Sequence, residues 1–264
     1  LHVGIVGSGI QGVSNALFLQ KKGFKVTIFD RDNPGSPAAS YGNAGHFSPY
    51  ASLSLNEVSQ NGRKIYKASA IGRTTGLARI FFKVEDLYES YFEKDFVRPI
   101  KSIRDIYEGG YIRKSETTFD HINNIGYFKN KLNGEERKIN LLNNIQDLVS
   151  TFYFLRKHLN ITELKPNDYI FVNIFFSAEN YPFKMKYLGK EILDTKFGLV
   201  ECMKFSPFME TGRVFRDNEG ISLWVTSDEN RIPIKVKANL RVGSITADLF
   251  RFRGIINPFN IVVE

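Results

Sequence analysis

Short runs in which apolar and polar residues alternate fill most of the chain after residue 50, and they constrain the fold more than any other feature. Alternation with a period of two places every second side chain on the same face of a β-strand. Gly, Asn and Pro, which favour turns, separate the runs. The pattern predicts a mostly antiparallel β-structure, a curved sheet or a barrel-like domain, over residues 51–264. The runs are Ala51–Val58, Lys64–Ala70, Lys101–Tyr107, Tyr111–Phe119, Tyr169–Phe176, Phe183–Leu188, Val200–Phe205, Ile221–Thr226, Ile232–Val236 and Ser244–Phe252.

One segment of this part departs from the alternation. Between Ile145 and Leu159 the apolar residues recur at spacings of three and four, which is the period of an α-helix with one apolar face. These residues are Leu148, Val149, Phe152, Leu155 and Leu159. We therefore expect a single amphipathic helix within the β-rich region.

The first fifty residues have a different pattern. Residues 2–7 form a continuous apolar run, which is typical of a parallel strand that is covered on both faces. Residues 10–22 follow with helical periodicity, and residues 25–30 form a second apolar run. The order strand, helix, strand predicts a short Rossmann-type β-α-β unit at residues 1–50, ahead of the β-rich domain at 51–264.

A glycine motif lies between the first strand and the helix. Gly7, Gly9 and Gly12 match the pattern G-x-G-x-x-G, and Asp30 ends the second strand. In a dinucleotide-binding unit the first glycine allows a tight turn, the second lets the backbone approach a pyrophosphate, and the third lets helix and strand pack closely. The N-terminus of the helix offers free N–H groups to the phosphates. A carboxylate at Asp30 can accept hydrogen bonds from the adenosine ribose.

Residues 3–50 resemble the start of D-amino-acid dehydrogenases, within the glycine/D-amino-acid oxidase family of FAD-dependent oxidoreductases. The most diagnostic stretch is Ser40-x-x-Asn43-Ala44-Gly45, which Ser48-Pro49 follows. The resemblance implies FAD as the cofactor, with its pyrophosphate facing the three glycines and its ribose facing Asp30. It also implies that the phosphate and flavin side is lined by Ser40, Asn43, Ala44 and Gly45. His46 falls at a variable place in the motif and is interpreted as a lining residue.

The rest of a flavin domain does not follow this segment. In that family more parallel strands and a late glycine-rich segment close over the flavin, whereas residues 51–264 contain no second β-α-β pattern. Gly109-Gly110 is interpreted as a hairpin turn. Because hydride transfer needs the flavin ring to be held against the substrate, we expect a partial FAD-binding segment without catalytic competence, and we assign no catalytic residue. The alternative is an FAD-dependent oxidoreductase that acts on D-amino acids.

Residues 51–264 resemble a bacterial family known as domain of unknown function 3108. The resemblance keeps one order along the chain, and it implies an exported, β-rich protein without an established activity. By analogy of fold alone, an apolar groove in a curved sheet would hold a lipid or a glycan, or meet an envelope partner. The clearest matching stretches are Gly212-Arg213-Val214-Phe215, Trp224-Val225-Thr226, Asn230-Arg231-Ile232-Pro233 and Val242-Gly243-Ser244-Ile245.

Composition narrows the remaining classes of function. The formal net charge of +8 is spread over the chain and interleaved with acids, so we expect a basic surface and no nucleic-acid partner. Cys202 is the only cysteine and lies in an apolar run, which indicates a small core residue. No apolar stretch approaches the length of a membrane span. The chain has no pattern of a signal peptide, which favours the cytoplasm, whereas the second resemblance implies export.

Polar residues of the β-rich region do not converge on a catalytic pattern. His121 and His158 lie far apart, without a second ligand at the spacing of a metal site, so core or surface roles are expected. Arg73, Arg213 and Arg231 could line a pocket for an anionic ligand, but solvated or paired arginines are the favoured interpretation.

Acidic residues of this region receive structural interpretations as well. Asp228 to Arg231 is interpreted as a solvated charged turn. Glu108 and Glu116 alternate with basic residues on predicted strands, so we expect cross-strand ion pairs rather than a pair of catalytic carboxylates.

The junction near residue 50 leads to three hypotheses: an exported β-domain with a foreign N-terminal segment, an FAD enzyme, or an artificial or fused gene. A lone β-α-β unit buries little apolar surface. We therefore expect residues 1–50 to pack poorly and the segment 32–52 to be sensitive to proteases.

Overall fold

The structure is a computed structural model that describes residues 1–6, 10–30, 49–60, 62–74, 79, 83–209, 220–239 and 244–262. It is mostly β, with two helices and three sheets in the described part of the chain. The predicted fold class is thereby confirmed. The chain divides into two compact units, of which one comprises Leu1–Ser48 and Ala238–Thr246 and the other Pro49–Lys237 and Ala247–Glu264. The predicted division after residue 50 stays a prediction.

A small β-α-β arrangement forms the start of the first unit. Strand β1 (His2–Val6), helix α1 (Ile10–Lys21) and strand β2 (Lys25–Phe29) follow one another, and the two strands pair in parallel. The apolar side chains of this arrangement are largely uncovered, since Val6 is 89% exposed and Phe29 is 59% exposed. Two strands and one helix bury too little surface to cover their own apolar faces.

Seven antiparallel strands in chain order form the first large sheet, so each strand pairs with the next one. Gly109 and Gly110, both with positive φ, connect β6 to β7 between the paired residues Glu108 and Tyr111. This two-residue hairpin turn was predicted and is confirmed. The strands are β3 (Pro49–Gln60), β4 (Arg63–Thr74), β5 (Val84–Glu93), β6 (Pro99–Glu108), β7 (Tyr111–Asp120), β8 (Ile125–Asn130) and β9 (Glu136–Asn140).

The second large sheet also follows the chain order. Its first strand pairs in parallel with the second one, and the next three pairings are antiparallel. The edge strands at both ends of each sheet keep the described sheets open, so neither closes into a barrel by itself. The strands are β10 (Gln146–Asp147), β11 (Tyr169–Phe176), β12 (Glu179–Thr195), β13 (Gly198–Met209), β14 (Ile221–Thr226), β15 (Pro233–Asn239) and β16 (Ser244–Asp248).

Helix α2 (Leu148–His158) is the predicted amphipathic helix, and it begins three residues later than the apolar pattern does. Asp147 caps it, because its side chain accepts hydrogen bonds from the backbone N–H groups of Val149 and Ser150. Val149 and Tyr153 pack with Ala68, Phe92 and Val97 of the first sheet and its hairpin. The helix therefore begins at a fixed point between the two sheets.

The opposite side of α2 faces the second sheet. Leu155 and Leu159 lie against a buried cluster that includes Met185, Met203 and Phe205. The other face of this sheet buries Cys202, Trp224 and their neighbours. Cys202 is 0% exposed, which confirms its predicted place in a core.

Candidate functional site

An apolar cavity of about 440 Å³ lies between α2 and the facing side of the second sheet. Small-molecule sites in proteins typically measure roughly 300–1,000 Å³, so the cavity has the size of a ligand site. On the helix, the lining residues recur at spacings of three and four and thus share one face; they are Leu148, Thr151, Phe152, Leu155, Arg156 and Leu159. On the sheet, the lining side chains include Ile174, Phe176, Phe183, Met203, Phe205 and Val225.

The dimensions of the cavity follow from the helix. From Leu148 to Leu159 an α-helix advances by about 16 Å at its usual rise per residue. Leu148, at one end of this distance, is 47% exposed, and Pro182 of β12, which also lines the cavity, is exposed as well. The cavity therefore extends along the length of α2 and borders on solvent near the N-terminus of this helix.

Two guanidinium groups, those of Arg156 and Arg231, are the charged groups on the cavity wall. Arg231 lies between β14 and β15 with a positive φ of 47°. Its Nη1 donates to the backbone oxygens of Arg156, at 2.5 Å, and of Leu159, at 3.0 Å. These carbonyls belong to the last turn of α2 and lack partners within the helix. Arg231 therefore connects the C-terminal end of α2 to the second sheet.

The Arg231 side chain keeps one donor unused. Its Nε is buried and has no hydrogen-bond partner in the structure. Among the described residues no carboxylate lies within ion-pair distance of Arg231 or Arg156. Burial, and after it the positive charge of Arg156, lowers the pKa of the Arg231 guanidinium, against the charge of Glu229. A bound anion would relieve both effects.

The turn that carries Arg231 differs from the predicted solvated loop. Asn230 is 1% exposed, and the carboxylate of Asp228 accepts hydrogen bonds from the hydroxyl of Thr226 and the backbone N–H groups of Asn230 and Arg231. Asn230 also donates to the backbone of Asn257. This network satisfies polar groups of the turn internally, so Asn230 is buried and Asp228 and Arg231 are half-buried, whereas Glu229 is exposed. The predicted solvated loop is therefore solvated at Glu229 but not at Asn230.

Of the three arginines that were considered for an anionic pocket, Arg231 lines the cavity and Arg73 does not. Arg73 is exposed on β4, opposite Glu85 in the pairing with β5. Arg213 lies outside the described residues. Arg156, which the sequence did not single out, lines the cavity because it lies one residue after Leu155 on the helical face.

His121 and His158 both contact neighbouring groups of the β-rich unit. The His121 Nε2 lies 2.6 Å from the backbone oxygen of Pro99, and the His158 ring lies against Phe154. No group of three or more metal-ligating side chains occurs among the described residues.

Glu108 and Glu116, for which cross-strand ion pairs were predicted, have different charged neighbours. Glu116 forms ion pairs with Lys101, at 3.1 Å, and with Lys131, at 3.2 Å. Its predicted cross-strand pairing is confirmed. Glu108 instead lies near Asp86, whose pKa is raised to about 6 by burial and then by the charge of Glu108. This neighbourhood could not be predicted from local pattern, because the pairing of β5 with β6 creates it.

Most residues of the predicted dinucleotide site lie outside the described part of the chain: Gly7, Gly9, Ser40, Asn43, Ala44, Gly45 and also His46. Gly12 lies in the first turn of α1, and Asp30 is exposed directly after β2. Val6 pairs with Phe29, so Asp30 follows β2 at the edge of the parallel pair where β1 also ends. Dinucleotides bind at this edge of a Rossmann-type unit, and the described strands have the parallel arrangement of such a unit.

Comparison with protein families gives two matches. Residues 47–249 match a family described as "Protein of unknown function (DUF3108)", and residues 5–67 match the "NAD(P)-binding Rossmann-like domain". Both resemblances noted in the sequence are thereby confirmed at the level of the family and of the dinucleotide-binding domain. No helix in the described part of the chain combines the length and apolarity that a bilayer crossing requires.

Two solved structures of other families show similarity to this chain. One is a β-barrel-like protein of the domain of unknown function DUF1849 from Brucella abortus, which is 9% identical, with 77% of this chain and 87% of that chain covered and a TM-score of 0.50. The other is a DUF1089 family protein from Pseudomonas aeruginosa, which is 14% identical, with 71% of this chain and 88% of that chain covered and a TM-score of 0.39. The first likeness concerns the fold alone.

Proposed function

The chain belongs to the DUF3108 family of proteins of unknown function, and from this premise we propose that its β-rich unit binds the acyl chain of a lipid. The observation that carries the proposal is the cavity between α2 and the second sheet. Fourteen of its eighteen lining residues are apolar, and the exceptions are Thr151, Arg156, Tyr181 and Arg231. An acyl chain gains free energy from this surface in proportion to the apolar area that it removes from water.

The same lining disfavours a glycan, the other ligand that the analogy of fold suggests. A sugar carries a hydroxyl on most of its carbons, and each hydroxyl that is buried without a partner costs free energy. The side chains of Thr151 and Tyr181 are too few to satisfy a saccharide, and the hydroxyl of Thr151 already donates to the backbone of Asp147. Met185 and Met203 are flexible apolar residues that can adapt to chains of different shape.

Binding of a fluorescent acyl probe tests the proposal. We expect 11-(dansylamino)undecanoic acid to increase its emission in the presence of the protein and to be displaced by unlabelled lipids. Leu223 of β14 also lines the cavity. The variant Leu223→Trp places a larger side chain there, and it should weaken probe binding about tenfold. Leu193→Trp is the matched control, because Leu193 is partly buried in the same sheet but packs against the cluster on its other face. Equal affinities for the wild type and Leu223→Trp would contradict the proposal.

The N-terminal unit supports a second candidate function, the binding of a dinucleotide, for which we propose FAD. This candidate rests on the Rossmann-like match and on the position of Asp30 after β2, at the edge of the parallel pair where β1 also ends. When bound, FAD would supply a hydride acceptor. Gly7, Gly9 and Gly12 would hold its pyrophosphate and Asp30 its ribose, and Ser40, Asn43, Ala44 and Gly45 would lie towards the phosphate and flavin.

Spectroscopy and titration test three parts of this second proposal separately: dinucleotide binding, the preference for FAD, and the oxidation of a D-amino acid. Flavin absorbance in the purified protein, or saturable quenching of added FAD, supports binding, and Asp30→Ala should weaken it about tenfold. Tighter binding of NAD⁺ than of FAD would reject the flavin assignment. Bleaching of the bound flavin by a D-amino acid without oxygen would support the alternative function, an FAD-dependent oxidoreductase acting on D-amino acids. No binding of either dinucleotide would reject both.

A further inference from the structure

Arg231 and Arg156 make one end of the cavity positively charged, and we propose that the natural occupant is a long-chain fatty acid whose carboxylate binds at Arg231. This inference rests on the proposed binding of acyl chains and specifies the head group. A fatty acid combines the two properties that the cavity combines, a long apolar wall and a cationic end.

The carboxylate would bind the guanidinium group of Arg231, which lines the cavity and has one N–H without a partner. Nη1 of Arg231 is occupied by the backbone oxygens of Arg156 and Leu159, whereas Nε is buried and has no partner. A buried N–H group without a partner is rare in folded proteins and costs free energy until something accepts its hydrogen bond. A guanidinium group offers paired N–H donors whose spacing matches the two oxygens of a carboxylate.

The structural role of Arg231 as a cap for α2 does not account for the whole arrangement. The exposed carbonyls at a helix C-terminus attract any cation, and a solvated lysine would satisfy them without being buried. Arg231 instead adopts a positive φ, and the buried network of Asp228 and Asn230 holds the turn in place. A non-glycine residue in this backbone conformation is strained, and such strain often marks a ligand site.

Arg156 strengthens the case by its position. Its side chain lines the same cavity and adds a second positive charge near Arg231. These two positive charges repel each other when no carboxylate lies between them, so the electrostatic energy at this end of the cavity is unfavourable without a ligand. A single negative head group lowers the energy of both charges. The tail would then extend along α2 for about 16 Å, towards Leu148 at the solvent-exposed end.

A displacement experiment with two ligands of equal chain length tests the head group. Palmitic acid and hexadecan-1-ol are titrated against the full-length protein loaded with the dansyl probe. We expect the acid to bind at least about tenfold more tightly than the alcohol, which corresponds to one charge-assisted hydrogen bond. Arg156→Gln and Arg231→Lys should each weaken the acid about tenfold and leave the alcohol unchanged. Arg137→Gln is the control, since Arg137 is exposed on β9 and pairs with Glu135.

The outcomes distinguish this inference from the proposal on which it rests. If acid and alcohol bind equally well to the wild type, or if the variants weaken both ligands alike, Arg231 acts only as a cap and the head-group inference is overturned. If neither ligand displaces the probe, acyl-chain binding itself fails. Arg231→Lys keeps a cation near the helix carbonyls, and urea unfolding followed by the fluorescence of Trp224 verifies that each variant folds.

Discussion

The buried carboxyl group of Asp147 should make the β-rich unit less stable at neutral pH than at mildly acidic pH. Asp147 is 4% exposed, and its carboxylate caps α2 and accepts a hydrogen bond of 2.5 Å from Ser90 on β5. Burial raises the pKa of this group to about 6, although hydrogen bonds from Ser150, Ser90 and Val149 oppose the shift. The unfolded chain would titrate near the ordinary value of 3.8.

The sign and size of the effect follow from linkage. Because the folded-state pKa lies above the unfolded one, the folded state binds more protons between pH 4 and pH 6, and its stability falls as the pH rises through this window. A difference of about two pKa units corresponds to roughly 3 kcal/mol in full. Between pH 4.5 and pH 7.5 the loss should amount to about 2 kcal/mol, since part of it has already occurred at pH 4.5.

The variant Asp147→Asn isolates this effect. Its amide oxygen can accept the two backbone hydrogen bonds of the cap, and its amide nitrogen can donate to the hydroxyl of Ser90. The free energy of unfolding, measured with urea by the fluorescence of Trp224, is compared between pH 4.5 and pH 7.5. Relative to Asp147→Asn, the wild type should lose about 2 kcal/mol over this range, whereas the exposed control Asp95→Asn should follow the wild type. A constant difference between wild type and Asp147→Asn would refute the reasoning.

Three further predictions concern packing, backbone strain and thiol reactivity. Gly126→Ala should destabilise the protein by about 1–3 kcal/mol in urea unfolding, because the added Cβ would lie 2.9 Å from the Leu141 side chain. In the control Gly72→Ala the added Cβ meets no atom within 4 Å, so this variant should be neutral or slightly stabilising. Ser177→Ala should cost about 1–2 kcal/mol in the same assay, because it removes the hydroxyl that accepts a hydrogen bond from the part-buried guanidinium of Arg104. Ser177→Asn should recover this stability, because Asn tolerates the positive φ at this position. The Cys202 thiol should not react with a maleimide at pH 8 until the protein is unfolded, since burial and then nearby carboxylates raise its pKa to about 12. Rapid labelling of the native protein would contradict the buried position of this thiol.

The regular strands could be predicted because local pattern determines them. Tyr169–Phe176 and Ile221–Thr226 coincide with runs found in the sequence. Strand β5 (Val84–Glu93) was not among these runs, since its acidic residues interrupt the alternation. Ser90 and Phe92 of this strand are buried nonetheless, because α2 packs over them. Burial of this kind depends on tertiary contacts, which a period of two does not reveal.

The dinucleotide motif could be found from the sequence, whereas the cavity could not. A glycine motif acts through the backbone over a few consecutive residues, so it can be found by spacing alone. The cavity combines α2 with strands up to 75 residues away, as the hydrogen bond between Arg231 and Arg156 demonstrates. Apolar residues that line a cavity and apolar residues that fill a core have the same pattern. The sequence therefore predicted the secondary structure of both walls but not the space between them.

The charged turn of Asp228 to Arg231 explains why the candidate ligand site was missed. Four polar residues in a row are usually solvated, and by composition this turn is indistinguishable from a loop. The burial of Asn230 depends on the backbone oxygens of Asn257 and Pro258, about 27 residues later in the chain, which accept hydrogen bonds from its side chain. Once the turn is fixed, the guanidinium of Arg231 is directed to the end of α2 rather than to water. Substituting Asn230 should therefore disturb the cationic end of the cavity before it disturbs the apolar walls, and Asn230→Ala should weaken palmitic acid more than hexadecan-1-ol.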